Sequence, residues 1–234
     1  MAESMQTVDI AENIARVRAR LAQAAGRAGR APEEICLVAV SKVVEAARVQ
    51  EAIAAGITDL GENYVQEAAE KREQLAGAVR WHLIGHLQSN KAAKAASVFD
   101  LVHTVDSLRL ARALGRQAKE TGRELDLLLQ VNTSGEATKS GLGPGEVEGL
   151  LATVRQVESV RVRGLMTIGR WDPDPEQTRG EFRLLAELGG SLAEKFEGGK
   201  PWLSMGMSHD FEVAIEEGST LVRVGTGIFG RRPG

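Results

Sequence analysis

The feature that most constrains this chain is an alternation. From residue 35 onward, short apolar runs trade places with longer amphipathic stretches. Runs at 35–41, 58–62, 79–84, 101–105, 125–131, 160–168, 202–205 and 220–224 read as strands. Between them, residues 44–55, 64–75, 91–96, from Asp106 or Ser107 to 119, 146–157, 175–196 and 211–217 read as helices. Strict alternation implies parallel strands joined by right-handed crossovers. The run at 125–131 is almost continuously apolar, as a strand covered on both faces must be. Eight such units in about 200 residues match a compact (β/α)8 barrel. An open doubly wound sheet is the alternative. Only the last strand lacks a clear helix after it.

A further helix precedes this pattern. Asp9 can cap it, with Glu12 in capping-box position, and Ile10, Ile14, Val17 and Leu21 recur on one face. Gly26, Gly29 and Pro32 end it. No linker-like stretch or shift of composition interrupts the 234 residues. The expectation is one domain over 1–234, with an amino-terminal helical segment at 1–31 and the barrel at 35–230. The net charge of −3 comes without a basic block, so no nucleic-acid footprint is expected. No apolar run approaches the ~18 residues that span a bilayer, so no membrane partner is expected. The single Cys36 reads as a small buried hydrophobe. One cysteine and no signal peptide suggest a reducing, cytoplasmic setting.

In a barrel, function sits at the carboxyl ends of the strands. Here those ends are rich in glycine and small polar residues. The first strand ends on Lys42. A lysine fed by so apolar a run can be partly desolvated, which favours a nucleophilic amine; it can equally mark the chain's return to water. The second strand ends in Gly61-Glu62-Asn63-Tyr64, and the third runs from Gly85-His86 to Asn90-Lys91. The seventh ends in Met205-Gly206-Met207-Ser208, followed by His209 and Asp210. The eighth ends in Arg223-Val224-Gly225-Thr226-Gly227. The last two loops read as a phosphate seat, because glycine exposes backbone N–H groups while Ser208 and Thr226 add hydroxyls. Helix capping by Ser208 and Asp210 is the simpler reading of the seventh loop.

Other motifs fail on inspection. Gly225-Thr226-Gly227-Ile228-Phe229-Gly230 fits G-x-G-x-x-G, but the four residues that follow leave no room for a dinucleotide fold. In the segment 134–140, Thr138 stands where a P-loop needs glycine. His82 and His86 fall on a strand and its loop rather than one helix face, and with four histidines and one cysteine no metal site is expected. There is no G-x-S-x-G elbow.

Six segments then occur in order: Val40-Ser41-Lys42; Gly61-Glu62-Asn63-Tyr64-Val65-Gln66-Glu67; Trp81-His82-Leu83-Ile84-Gly85 with Leu87-Gln88-Ser89-Asn90-Lys91; Gly164-Leu165-Met166-Thr167-Ile168; Leu203-Ser204-Met205-Gly206-Met207-Ser208; and Val222-Arg223-Val224-Gly225-Thr226 with Ile228-Phe229-Gly230. Together they resemble the pyridoxal phosphate homeostasis proteins (the YggS/PROSC family) from Ile35 to Gly230. His209 and Gly227 are small departures. The resemblance implies a single (β/α)8 TIM barrel like the barrel domain of alanine racemase. It implies pyridoxal 5'-phosphate (PLP) as cofactor, held as an aldimine of Lys42. It further implies Arg223 at the pyridine nitrogen, Ser208, Gly225 and Thr226 on the phosphate, and Asn63 near the ring.

An arginine at the ring nitrogen disfavours its protonation and makes the ring a poorer electron sink. Racemisation also needs a second proton-transfer group opposite the lysine. The racemases resembled take a tyrosine from a β-domain that this sequence lacks, and the one tyrosine here is Tyr64. The resemblance therefore implies a PLP-binding protein of vitamin B6 and amino-acid homeostasis without robust catalysis. PLP-dependent apoenzymes are its expected recipients, and a monomer is its expected state. A small PLP-dependent amino-acid racemase, and a phosphosugar enzyme using Lys42 without PLP, are the alternatives.

Overall fold

A computed structural model describes residues 9–230. The first eight residues of the expected amino-terminal segment lie outside them. Eight parallel strands close into a barrel in chain order: β1 (Cys36–Val40), β2 (Asp59–Glu62), β3 (Arg80–Leu83), β4 (Leu101–Val105), β5 (Leu125–Gln130), β6 (Val160–Met166), β7 (Trp202–Met207) and β8 (Leu221–Val224). The seam is sealed by β1 on β8, with Val38 in register with Arg223. The doubly wound alternative is thereby excluded.

Helices α1 (Ile10–Arg27), α2 (Ala46–Ala54), α3 (Val65–Gln74), α4 (Ala92–Val98), α5 (Leu108–Glu120), α6 (Val147–Val154), α7 (Arg179–Ser191), α8 (Phe211–Glu216) and α9 (Thr226–Phe229) surround it. The largest core lies between this jacket and the strands. A smaller core fills the barrel itself, where Val38, Leu101, Leu128, Met166 and Leu221 pack together with Cys36 and Trp202.

Two elements differ from expectation. The stretch 175–196 is not one helix: a 3-10 turn Pro175–Thr178 leads into α7, and a second, Ala193–Lys195, follows it. Gly189 and Gly190 stand just before the break, where helical propensity is lowest. The last strand does have a helix after it, the single turn α9.

That one turn is too short to cover the seam, and α1 completes the cover. Its apolar stripe Ile10, Ile14, Val17 and Leu21 is buried, Asn13 donates to the Ile228 carbonyl at 2.9 Å, and Arg20 and Arg27 pair with Glu212 and Glu216 of α8. Asp9 caps α1 by accepting from the Glu12 N–H at 2.9 Å. The helix outside the repeat is thus the missing outer wall at the seam.

Candidate functional site at the carboxyl end of the barrel

Lys42 stands two residues beyond the end of β1, half-buried, between the buried Ser41 and the exposed Val43. Val43 adopts φ 58°, an unusual conformation for a β-branched residue. Ionic side chains hold the turn on both sides of the lysine. Lys71 of α3 donates from Nζ to the Ser41 carbonyl at 2.5 Å, and Glu67 accepts the Val43 N–H at 2.6 Å. Lys71 also pairs with Glu62 and Glu67, each at 2.7 Å, and the Ser41 hydroxyl donates to Glu62 at 2.7 Å. Burial of Glu62 pushes its carboxyl above the usual range, against the opposing pull of Lys71.

Asn63 follows β2, and its position depends on Gly85 after β3. A Cβ at Gly85 would stand 2.3 Å from the Asn63 carbonyl oxygen and 2.7 Å from its Cα. Only hydrogen fits there.

Arg223 points into the same end of the barrel from β8. It is buried, with Nη1 donating to Ser204 Oγ at 2.6 Å and Nη2 to the Thr167 carbonyl at 2.8 Å. Burial pushes its guanidinium down to about 10, with Asp210 pulling the other way. It remains a cation at neutral pH.

The simpler reading of the seventh loop, a cap for the helix after it, does not hold. Asp210 makes no side-chain cap bond to α8; it accepts the Met207 N–H at 2.6 Å, closing the turn in front of the helix. Ser208 reaches across to the eighth loop instead, where its Oγ accepts the N–H groups of Gly225 at 3.2 Å and Gly227 at 3.4 Å. Two backbone donors thus converge on one oxygen at the rim, and the serine keeps its own proton to donate. Gly206 makes this possible: at φ 90° its missing Cβ would lie 2.6 Å from that of Ala214.

These residues enclose one cavity of about 300 Å³. All six residues expected from the sequence line it: Lys42, Asn63, Ser208, Arg223, Gly225 and Thr226. Val40, Ile84, Ile168 and Met207 supply apolar walls. Two cations face it and, among the described residues, no carboxylate does. The donor set suits a planar, apolar-faced ligand carrying an aldehyde and a phosphate: a primary amine, hydroxyls and amides for an anion, and a fixed guanidinium.

Some lining residues were not expected. His209 joins the wall, its Nε2 directed at the carbonyls of Asp172 and Pro173 at 3.0 and 3.1 Å, with the exposed Trp171 stacked on its ring. Its place next to Ser208 was the available signal. A second cavity of about 230 Å³ shares Asn63, Ile84 and Ile168 and extends toward Gln130 and Lys139. The buried Gln130 Oε1 there has no hydrogen-bond partner. Tyr64 is exposed and lines neither cavity.

Among the described residues no cluster of His, Cys, Asp or Glu is arranged to hold a metal ion, and no helix is long and apolar enough to cross a membrane.

The sequence profile of the alanine racemase N-terminal domain matches residues 10–233. A Pseudomonas aeruginosa protein named pyridoxal phosphate homeostasis protein is 47% identical over 225 residues, covering 95% of this chain and 96% of its own. An Escherichia coli K12 protein of the same name is 44% identical over 234 residues, covering 96% and 97%. The structure of PipY from Synechococcus elongatus PCC7942 with PLP bound superposes with a TM-score of 0.83 at 38% identity, covering 95% of this chain and 100% of that one. Alanine racemase from Clostridium difficile 630 superposes with a TM-score of 0.71 at 16% identity, covering 95% of this chain and 57% of that one. That likeness concerns the barrel alone. The closed barrel, the ordered motifs at its rim and these near-full-length relatives lead to one assignment: the chain belongs to the pyridoxal phosphate homeostasis protein family, on the alanine racemase N-terminal domain fold.

Proposed function

We propose that this chain binds pyridoxal 5'-phosphate in the mouth cavity, held by Lys42 as an aldimine, and serves cofactor and amino-acid homeostasis without robust catalysis. One observation carries the reading: the six residues converge on a single cavity that presents cations, hydroxyls and amides and no carboxylate. The cofactor-bound structure of a relative 38% identical supports it. When bound, the cofactor supplies an aldehyde that condenses with a primary amine, releasing water, and an electron-withdrawing ring.

The residues divide the work by chemistry. Lys42 offers the amine. Ser208, Gly225 and Thr226 would hold the phosphate. Asn63 would contact the ring. Arg223, charged at pH 7, would face the ring nitrogen and keep a proton off it, restraining carbanion chemistry. Tyr64, out at the surface, offers no proton on the face opposite Lys42. The chain acts as one domain and as a monomer, and passes its cofactor to PLP-dependent apoenzymes.

A second reading rests on His209. Its Nε2 is engaged by backbone carbonyls, which leaves Nδ1 as a base at the cavity wall and would suit a small amino-acid racemase.

The test is direct. Purified protein mixed with PLP should develop a visible absorption band that Lys42→Ala abolishes. The loaded protein, incubated with amino acids in deuterated water, should leave their alpha protons in place. Absence of the band sinks cofactor binding; rapid exchange lost in His209→Asn installs the racemase instead.

A further inference from the structure

The interior of the barrel holds a row of polar side chains that the cavity does not explain. Asp59, His82, His103, Ser204 and Arg223 are buried, and each touches the next. Asp59 Oδ1 lies 2.9 Å from His82 Nε2. His82 Nδ1 lies 3.0 Å from His103 Nε2. His103 Nδ1 lies 2.9 Å from Ser204 Oγ, which lies 2.6 Å from Arg223 Nη1.

The two ends set the direction of every bond between them. A guanidinium can only donate, so Ser204 Oγ accepts from Arg223. The serine proton then goes to His103 Nδ1, which makes His103 a donor through Nε2. His82 accepts at Nδ1 and donates from Nε2 to Asp59, and an ionised carboxylate can only accept. The opposite polarity would need a protonated Asp59 and would leave the serine proton without an acceptor. Burial depresses both imidazoles, His103 well below the usual value, so both rings are neutral. Asp59 resists its own burial through hydrogen bonds from His82 and Thr58 and the charge of Arg80, which hold its carboxyl below the usual range.

Arg223 has no ion pair among the described residues. Asp210 is the carboxylate that acts on it through space, and the bonded path from Arg223 ends on Asp59, at the amino end of β2, beside Arg80. We propose that these side chains form a one-way hydrogen-bond chain through the barrel, running from Arg223 to Asp59, that seats the Arg223 guanidinium. The aligned dipoles reinforce one another in a low-dielectric interior. With two of its five N–H groups engaged, the arginine is fixed while others remain for the cavity. Asp59, His82, His103 and Ser204 are positioning residues in this scheme, which rests on the reading of Arg223 as the ring-nitrogen partner.

Two measurements on cofactor-free protein test the chain without relying on that reading. In the wild type, long-range ¹H–¹⁵N correlation spectra of labelled histidine should show His82 and His103 neutral, each protonated on Nε2 and bare on Nδ1. A proton on Nδ1 of either ring overturns the chain. In Asp59→Asn the Arg223 guanidinium resonances should shift, although Asp59 lies outside the cavity lining; unchanged resonances overturn the coupling of the two ends through the chain. With PLP added, Ser204→Ala should weaken binding about tenfold, as expected for one lost bond to a charged group. Unchanged affinity overturns the seating of Arg223. A wild type that ignores the cofactor sinks the proposed function, while the tautomers still decide the chain.

Discussion

The two ends of this barrel carry cavities of about the same volume and opposite character. At the amino end, Glu33, Glu34, Cys36, Arg80, Lys200 and Trp202 line a hollow of about 300 Å³. Its charges are largely answered within the protein. Glu34 lies near Arg30 and Lys200, Arg80 near Asp59, and the guanidinium groups of Arg80 and Arg163 flank the Trp202 ring. At the carboxyl end, a hollow of about 300 Å³ collects Lys42 and Arg223 with hydroxyls and amides and no acid. Volume alone does not separate the two. What separates them is whether the charges have found partners within the protein, and an excess of donors of one sign marks the end that awaits an anion.

The sharpest way to break this contrast is to remove the amine. Lys42→Ala should abolish the visible band with PLP, whereas Lys200→Ala at the other end should leave it unaltered, both read by absorbance titration. A loss in both would mean that the ends do not differ as described. Next in size is Lys71→Met. It leaves the fully buried Glu62 without its cation, at a cost of about 3–5 kcal/mol, and should release the turn around Lys42; urea unfolding measures the first, and slower cofactor uptake the second. Gly85→Ala should cost about 3 kcal/mol, because the new methyl meets backbone rather than a movable side chain. It should loosen Asn63 as well, seen as a lower Tm and weaker PLP affinity together.

Acid should act on the axis that joins the ends. His82 and His103 titrate below their ordinary value because burial disfavours their charged forms, so the unfolded chain binds more protons than the folded one. Their contribution is therefore present above about 6.5 and is lost as pH falls through the folded values. Asp59 adds to the same trend at lower pH, since its depressed carboxyl must be protonated on unfolding. Glu62 runs the other way: its raised value favours the folded state at low pH and loses that contribution as pH rises. Chemical unfolding between pH 4 and 7 should show falling stability toward acid, with a shallower slope in His103→Gln. The smallest effect belongs to the amino end. Burial and the neighbouring Asp59 push the Cys36 thiol up to about 12, so iodoacetamide should label it slowly at pH 7.5 compared with a free thiol.

Most of the frame was legible from alternation, because a parallel barrel writes each strand as an apolar run and each crossover as an amphipathic one. Lys42, Ser208, Gly225 and Thr226 were legible because they follow strand ends, where side chains of distant numbering must meet, whereas Asn63 and Arg223, the latter inside β8, came from the family resemblance. What escaped was whatever depends on pairing across the barrel. His82 was weighed against His86, four positions on, yet its partner is His103, 21 positions away and two residues along β4 from Leu101, the register neighbour of His82. Ser208 looked like a cap for the helix beside it and instead bonds to the next loop. The break at the end of α7 was hidden because an amphipathic pattern continues through Gly189 and Gly190. No local spacing carries this information; it exists only once the strands are closed.

The tethers on either side of Lys42 have a consequence for timing. A lysine on a loose turn would have to search for its aldehyde with backbone and side chain together. Here the carbonyl before it and the amide after it are both anchored to side chains of α3, so only the lysine's own torsions are left to explore. Under the proposed function, capture and release would be motions of one side chain over a standing floor. Such a site can exchange its cargo many times without melting any part of the wall that defines it.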